Sequence, residues 1–285
     1  MIYFLLTVNF SLMIVLPFLF GWLIARKRGA GWRLFGIGAV TFVLSQVGHI
    51  PFNWLVLNRL QLISTDTAVT QNLIILAIFL GLSAGLFEEV ARYLTFRFWA
   101  TDARSWGTGL MVGAGHGGVE SLLLGGLGAL NVINLIILRS NEQLINTLPP
   151  EQLEIVQAQI TAVFNTPYSQ LLLGAVERLF AITVHLSLSL LVMQVFIRRQ
   201  TRWLLFAILW HTLLNAVSVI FASRTTPYIT ELVIGIFALV SLGIIWALKA
   251  PEPAPIPIEP VPDLPPIKPA TEDLTPEKLD ESKFS

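Results

Sequence analysis

Seven apolar runs, each long enough to cross a bilayer, constrain this chain more than any other feature. They lie at about residues 3–25, 33–57, 71–98, 106–138, 169–197, 203–222 and 228–248. A helix needs ~20 apolar residues to span the hydrocarbon core. In hydrocarbon, a helix is the one structure that satisfies its own backbone within a single segment. The expectation is an all-α fold, a polytopic protein with about seven transmembrane helices in the cell membrane. Composition agrees, with 54% of 285 residues hydrophobic, 13% charged and a mean hydropathy of +0.72, far from a soluble domain. There is no Cys, which excludes disulfides, thiolate metal sites and cysteine nucleophiles. The first run has no basic segment before it and no small-residue cleavage site, so it reads as a retained helix rather than a signal peptide.

Loop charges predict an orientation. Arg26, Lys27, Arg28 and Arg33 join the first two runs, Arg97 and Arg104 the third and fourth, and Arg198, Arg199 and Arg202 the fifth and sixth, while Lys249 follows the seventh. The alternate loops hold only Arg59, Arg139 and Arg224. Basic loops stay in the cytoplasm, which puts the N-terminus outside and the C-terminus in the cytoplasm.

Residues 1–249 read as one transmembrane domain. Residues 250–285, which include PEPAPIPIEPVPDLPP, are too polar and Pro-rich to bury a core, and read as a disordered cytoplasmic tail. In the long outer loop, Leu153, Val156, Ile160, Val163 and Phe164 fall on one helical stripe behind Pro149 and Pro150. That pattern predicts a short interfacial helix.

An ionisable group inside a span points to function. The third run carries Glu88, Glu89 and Arg92, the fourth His116 and Glu120, the fifth Glu177, Arg178 and His185, and the sixth His211 with Asn215; His49 lies in the second. Glu88/Arg92, His116/Glu120 and His211/Asn215 are each four residues apart, which sets each pair on one helix face. Counted from the helix ends, Glu88, His116, His185 and His211 all lie roughly 12–18 Å from the basic side at 1.5 Å per residue. Four helices thus bring acid, imidazole and amide groups to one level, which predicts a buried polar cavity, open towards the cytoplasmic leaflet. Glu177 and His49 lie deeper and fit that level less well. Arg92 can neutralise one of the two adjacent glutamates. The other is then suited to activate water as a general base, while His and Asn donors stabilise an oxyanion. The same Glu/His set can instead hold a divalent metal.

Other hydrolase signatures are missing or misplaced. There is no HExxH, and every Asp lies in a loop or the tail. A GxSxG string, Gly81 to Gly85 around Ser83, sits inside a span rather than on a strand-to-helix elbow. It reads first as GxxxG helix packing, as do the glycines of MVGAGHGG and LLLGGLGAL.

FEEVARY, GHGGVES, ERLFAITVHLSLS and WHTLLNA, in this order on successive spans, resemble the YhfC family of glutamic-type intramembrane proteases. That family is related to the CAAX-prenyl endopeptidases, the PrsW proteases and the non-catalytic APH subunit of γ-secretase. The resemblance covers about residues 1–248. Glu88 and Glu89 match the glutamate pair of the EExxxR motif, with Arg92 one residue early. His116 to Glu120 is closer to the PrsW form, which ends in Glu, than to FxxxH. His211 to Asn215 matches HxxxN, and His185 is the alternative for the later histidine of PrsW. The resemblance implies an intramembrane endopeptidase acting on a membrane protein or peptide, and nothing argues for prenylated substrates. Glu88 or Glu89 would activate water, His116 or Glu120 would orient it, and His185 and His211 with Asn215 would stabilise the oxyanion. No cofactor is expected for that chemistry, although a divalent metal such as zinc suits the same residues. The lipid bilayer is the other partner, and no nucleic acid is expected. Two further readings stand beside this one, a non-catalytic membrane scaffold and a proton- or ion-coupled transporter.

Overall fold

A computed structural model describes residues 1–145 and 147–250, and no strand occurs among them. The expected tail lies, from residue 251 on, outside the described residues. Seven helical segments are long and apolar enough to cross a membrane: Ile2–Arg28, Trp32–Arg59, Thr70–Trp99, Trp106–Ser140, Tyr168–Arg198, Arg202–Arg224 and Pro227–Ala247. Each expected run is found, with ends within a few residues. The chain is a multi-pass membrane protein.

The α-helices are α1 (Ile2–Arg28), α2 (Trp32–Trp54), α3 (Thr70–Leu94), α4 (Trp106–Ser140), α5 (Glu142–Ile145), α6 (Pro150–Phe164), α7 (Leu173–Arg198), α8 (Arg202–Arg224) and α9 (Pro227–Ala247). α2 and α3 each end in a π-helical turn, Leu55–Arg59 and Thr95–Trp99. Local chemistry sets several ends. Gly29 closes α1 at φ 66°, a conformation that favours Gly. Ser105 starts α4 with a capping box to Thr108. Pro opens α6 and α9, where its missing N–H has no helical partner to lose.

α7 is the hub, packed against α1, α3, α4, α8 and α9. Ile182, Leu188, Leu190 and Val192 are fully buried there, beside the small Ser187 and Ser189. α3 lies close along α8, where a Cβ on Gly81 would meet the Thr212 carbonyl oxygen at 2.5 Å. The GxSxG string is therefore a packing seam, and Ser83 is buried with its hydroxyl donating to the Leu80 carbonyl at 3.1 Å. Hydrogen bonds from Ser121 and Ala175 help join α1 to the bundle. Pro17 lacks the N–H that would bond the Met13 carbonyl, and Ser121 of α4 donates to that oxygen at 2.7 Å. Asn9 accepts the Ala175 N–H at 2.8 Å in the first turn of α7. α6 presents Leu153, Val156, Ile160, Val163 and Phe164 as its half-buried residues, so the expected stripe is the face it lays down. Phe164 packs on Tyr3, with Arg139 over its ring at 4.1 Å.

The ends of α1, α3, α7 and α9 and the starts of α2, α4 and α8 form one arginine-rich face. Guanidinium groups there lie over aromatic rings, Arg28 on Trp106 and Arg198 on Trp203. This is the pairing expected of side chains at a membrane surface.

Candidate functional site

The four expected side chains converge at mid-bundle. His116 Nε2 lies 3.1 Å and His211 Nε2 3.9 Å from Glu88 Oε2. The rings of His116 and His185 are 5.1 Å apart, and those of His185 and His211 are 5.6 Å apart. α3, α4, α7 and α8 each supply one member, all of them buried.

The two neighbouring glutamates are in different situations. Glu89, 0% exposed, is fully committed. One oxygen is ion-paired to Arg92, and the other lies 2.9 Å from His211 Nδ1. The sequence left open which of the two glutamates Arg92 neutralises; Arg92 reaches back three residues to Glu89. The reason is direction, since Glu88 is turned towards α4 and Arg92 towards α7. Glu88 has no guanidinium or ammonium partner among the described residues. Its contacts are the imidazoles and Gln46 Nε2, 3.2 Å from Oε1.

A second polar chain leaves the site along α7. Arg92 Nη2 lies 3.2 Å from His185 Nδ1. Arginine can only donate, so His185 Nδ1 accepts and its proton sits on Nε2, which donates to Glu120 Oε2 at 2.8 Å. Glu120 Oε1 accepts from Arg178 at 2.9 Å, and Arg178 is also paired with Glu177. Both arginines are therefore taken, one by Glu89 and one by Glu120 and Glu177. Glu120, which with His116 was a candidate to orient water, lines the cavity and holds His185 and Arg178.

A cavity of about 120 Å³ lies against Glu88, Glu120, His185, His211 and Asn215, large enough for a few waters. Asn215 lines it without a hydrogen-bond partner among the described residues. A wider cavity of about 400 Å³, between α8 and α9, shares Glu177, Ser218 and Ile234 with it. These shared residues lie on the side away from the arginine-rich face. The expected opening towards the basic side is therefore corrected. On that side Phe96, Met111, Val112, Leu188 and Ala207 are all fully buried and close the bundle above the histidines.

Glu88, His116 and His185 can each offer one ligand atom, all within 4.8 Å of one another. Three observations fit a divalent cation here. The donors are imidazole and carboxylate, the set zinc takes. Glu88 is a buried carboxylate with no cation, which is costly. His116 Nδ1 is buried with no partner. Behind two of the imidazoles stand carboxylates, Glu89 behind His211 and Glu120 behind His185, the support that ligating histidines usually have.

Comparison with known proteins agrees. A model of the YhfC intramembrane metalloprotease family matches residues 12–238. The chain belongs to this family. The YhfC match includes every candidate residue from Glu88 to Asn215. One relative, described as "Uncharacterized membrane protein YhfC" of Bacillus subtilis (strain 168), is 33% identical over 232 residues, covering 79% of this chain and 87% of its own length. No solved structure matches.

Two participants were undervalued in the sequence. Arg178 bridges two carboxylates, Glu120 and Glu177, and Gln46 touches Glu88. Gln46 lies three residues before His49 on α2, one turn away, and that spacing was the available signal.

Proposed function

We propose that this YhfC-family chain is an intramembrane endopeptidase that hydrolyses a peptide bond of a membrane protein in the cavity beside Glu88. The observation that carries the reading is Glu88 itself, the one site carboxylate that faces both the cavity and the imidazoles without an arginine. Glu88, His116 and His185 would hold a divalent ion such as zinc, His185 through Nδ1 once that atom gives up its hydrogen bond from Arg92, with His211 Nε2 nearby. A bound zinc supplies a Lewis acid and lowers the pKa of water.

The chain's own groups do the rest. Glu88 is the carboxylate free of arginine that can accept a proton from the attacking water, through whichever oxygen the ion would leave it. Glu89 cannot do so, because Arg92 and His211 occupy both its oxygens. Glu89 and Glu120 orient His211 and His185 from behind. Asn215 presents an amide donor to the cavity for the developing oxyanion. The description of the family as a metalloprotease supports the metal-assisted form over a glutamate acting alone. A transporter would string its polar groups across the membrane depth, whereas His116, His185 and His211 here gather with Glu88 at one level. We further infer that the arginine-rich face is cytoplasmic, so that the cavity is entered from the outer half of the bundle.

The test compares membranes of cells expressing wild type, Glu88→Gln and Glu89→Gln, by proteomics for cleavage products and by metal analysis of the purified proteins. Glu88→Gln should abolish the products and the bound metal. Glu89→Gln should keep a reduced yield. Full product formation by Glu88→Gln would overturn the assignment.

A further inference from the structure

We propose that Gln46 of α2 is a positioning residue for Glu88, itself oriented by His49 and Asn53. The proposal rests on the reading of Glu88 given above. α2 carries none of the motifs that define the resemblance, yet it contributes a directional chain of hydrogen bonds that ends on Glu88.

The direction follows from the chemistry of each atom. Gln46 Nε2 donates to Glu88 Oε1 at 3.2 Å. The amide oxygen of Gln46 can only accept, so His49 Nδ1, 3.1 Å away, carries the proton. His49 Nε2 then holds a lone pair and accepts from Asn53 Nδ2 at 2.9 Å. Every donor from Asn53 onward points towards Glu88. The opposite amide orientation at Gln46 would set a carbonyl oxygen against a carboxylate. Spacings of three and four place Gln46, His49 and Asn53 on one face of α2. The His49 ring stacks on Phe87 at 5.7 Å, and a Cβ on Gly48 would meet Phe87 at 2.8 Å, so α2 and α3 are held close beside Glu88.

The consequence is a division of the two Glu88 oxygens. Gln46 fixes Oε1, which leaves Oε2 aimed at His116 and His211. No other group among the described residues can do this, because Arg92 belongs to Glu89. The competing role for such a chain is simple attachment of α2 to α3.

The experiment uses purified full-length wild type and Gln46→Leu, which keeps the volume and loses the donor. The Glu88 carboxylate stretch is isolated by infrared difference against Glu88→Gln in each background. Zinc affinity is measured by chelator competition, and the thermal midpoint of the zinc-free protein is recorded. Gln46→Leu should shift the carboxylate band and weaken zinc binding roughly 10–100-fold, with an unchanged zinc-free midpoint. An unchanged band overturns the proposal, and a lowered midpoint with an unchanged band makes Gln46 an attachment residue. Should Gln46→Leu not fold, His49→Phe is expected to shift the band in the same direction. A wild-type protein that takes up no zinc contradicts the metal reading of the site, and the band then decides the role of Gln46 by itself.

Discussion

The most apolar 18-residue stretches of the α1 and α7 spans have nearly the same mean hydropathy, 2.2 and 2.1, yet 17% of one and 78% of the other is buried within the bundle. Hydropathy measures avoidance of water and does not separate lipid from protein interior. What distinguishes the two helices is the polar content of the segment. α7 carries Glu177, Arg178 and His185 within its length, while the charges of α1 sit in its last turn. Ionisable groups need partners, and only neighbouring helices can supply them. α7 meets its partners on several sides, packed against α1, α3, α4, α8 and α9, while α1 lies on the rim.

The strongest way to break this contrast is to remove the charge that holds α7 in place. Arg178→Met should destabilise the protein by about 3–5 kcal/mol, because Glu120 is left as an uncompensated charge in a low-dielectric site. The double variant with Glu120→Gln should recover part of the loss, measured by thermal unfolding in detergent. A smaller effect comes from the α4–α7 seam. A Cβ on Gly113 would lie 2.8 Å from the His185 carbonyl oxygen, whereas one on Gly126 meets nothing within 4 Å. Gly113→Ala should cost about 1–3 kcal/mol through overpacking, and Gly126→Ala should be neutral or mildly stabilising. Equal melting shifts in the two variants would contradict the packing.

The smallest effect is expected at the surface. Arg33 and Asp102 form an ion pair with side chains 58% and 63% exposed. The hydrogen bond from Arg33 holds the Asp102 carboxyl below the usual carboxylate range. A lowered acid stabilises the fold above its ordinary pKa, and that contribution fades as the pH falls through the lowered value. Exposed pairs contribute only about 0–1 kcal/mol, so Asp102→Asn should leave the melting temperature at pH 7 almost unchanged. A large loss would show that this loop, unlike the rest of the arginine-rich face, is fastened by charge.

Much of the fold was legible because membrane spans are written in one dimension. Length, apolarity and end charges located seven segments, and period 3.6 located the half-buried stripe of α6. The convergence of Glu88, His116, His185 and His211 was legible as well, since depth follows from counting at a fixed rise per residue. Pairing across helices was not. Spacing set Arg92 within reach of both glutamates, but a helix position specifies a face and not which neighbour meets it. Gln46 was passed over because an amide in a span carries no charge to attract notice.

By itself the sequence determined that this chain crosses the membrane about seven times, that acids and imidazoles share one level, and, through four ordered motifs, the family it belongs to. Tertiary structure alone decided which glutamate is bound by arginine and which faces the cavity, and on which side that cavity continues. The reason is physical. Span and depth depend on local composition and helix rise, whereas partner choice depends on the rotation of helices packed far apart in sequence, and Glu88 and Glu89 differ by only one position in that rotation.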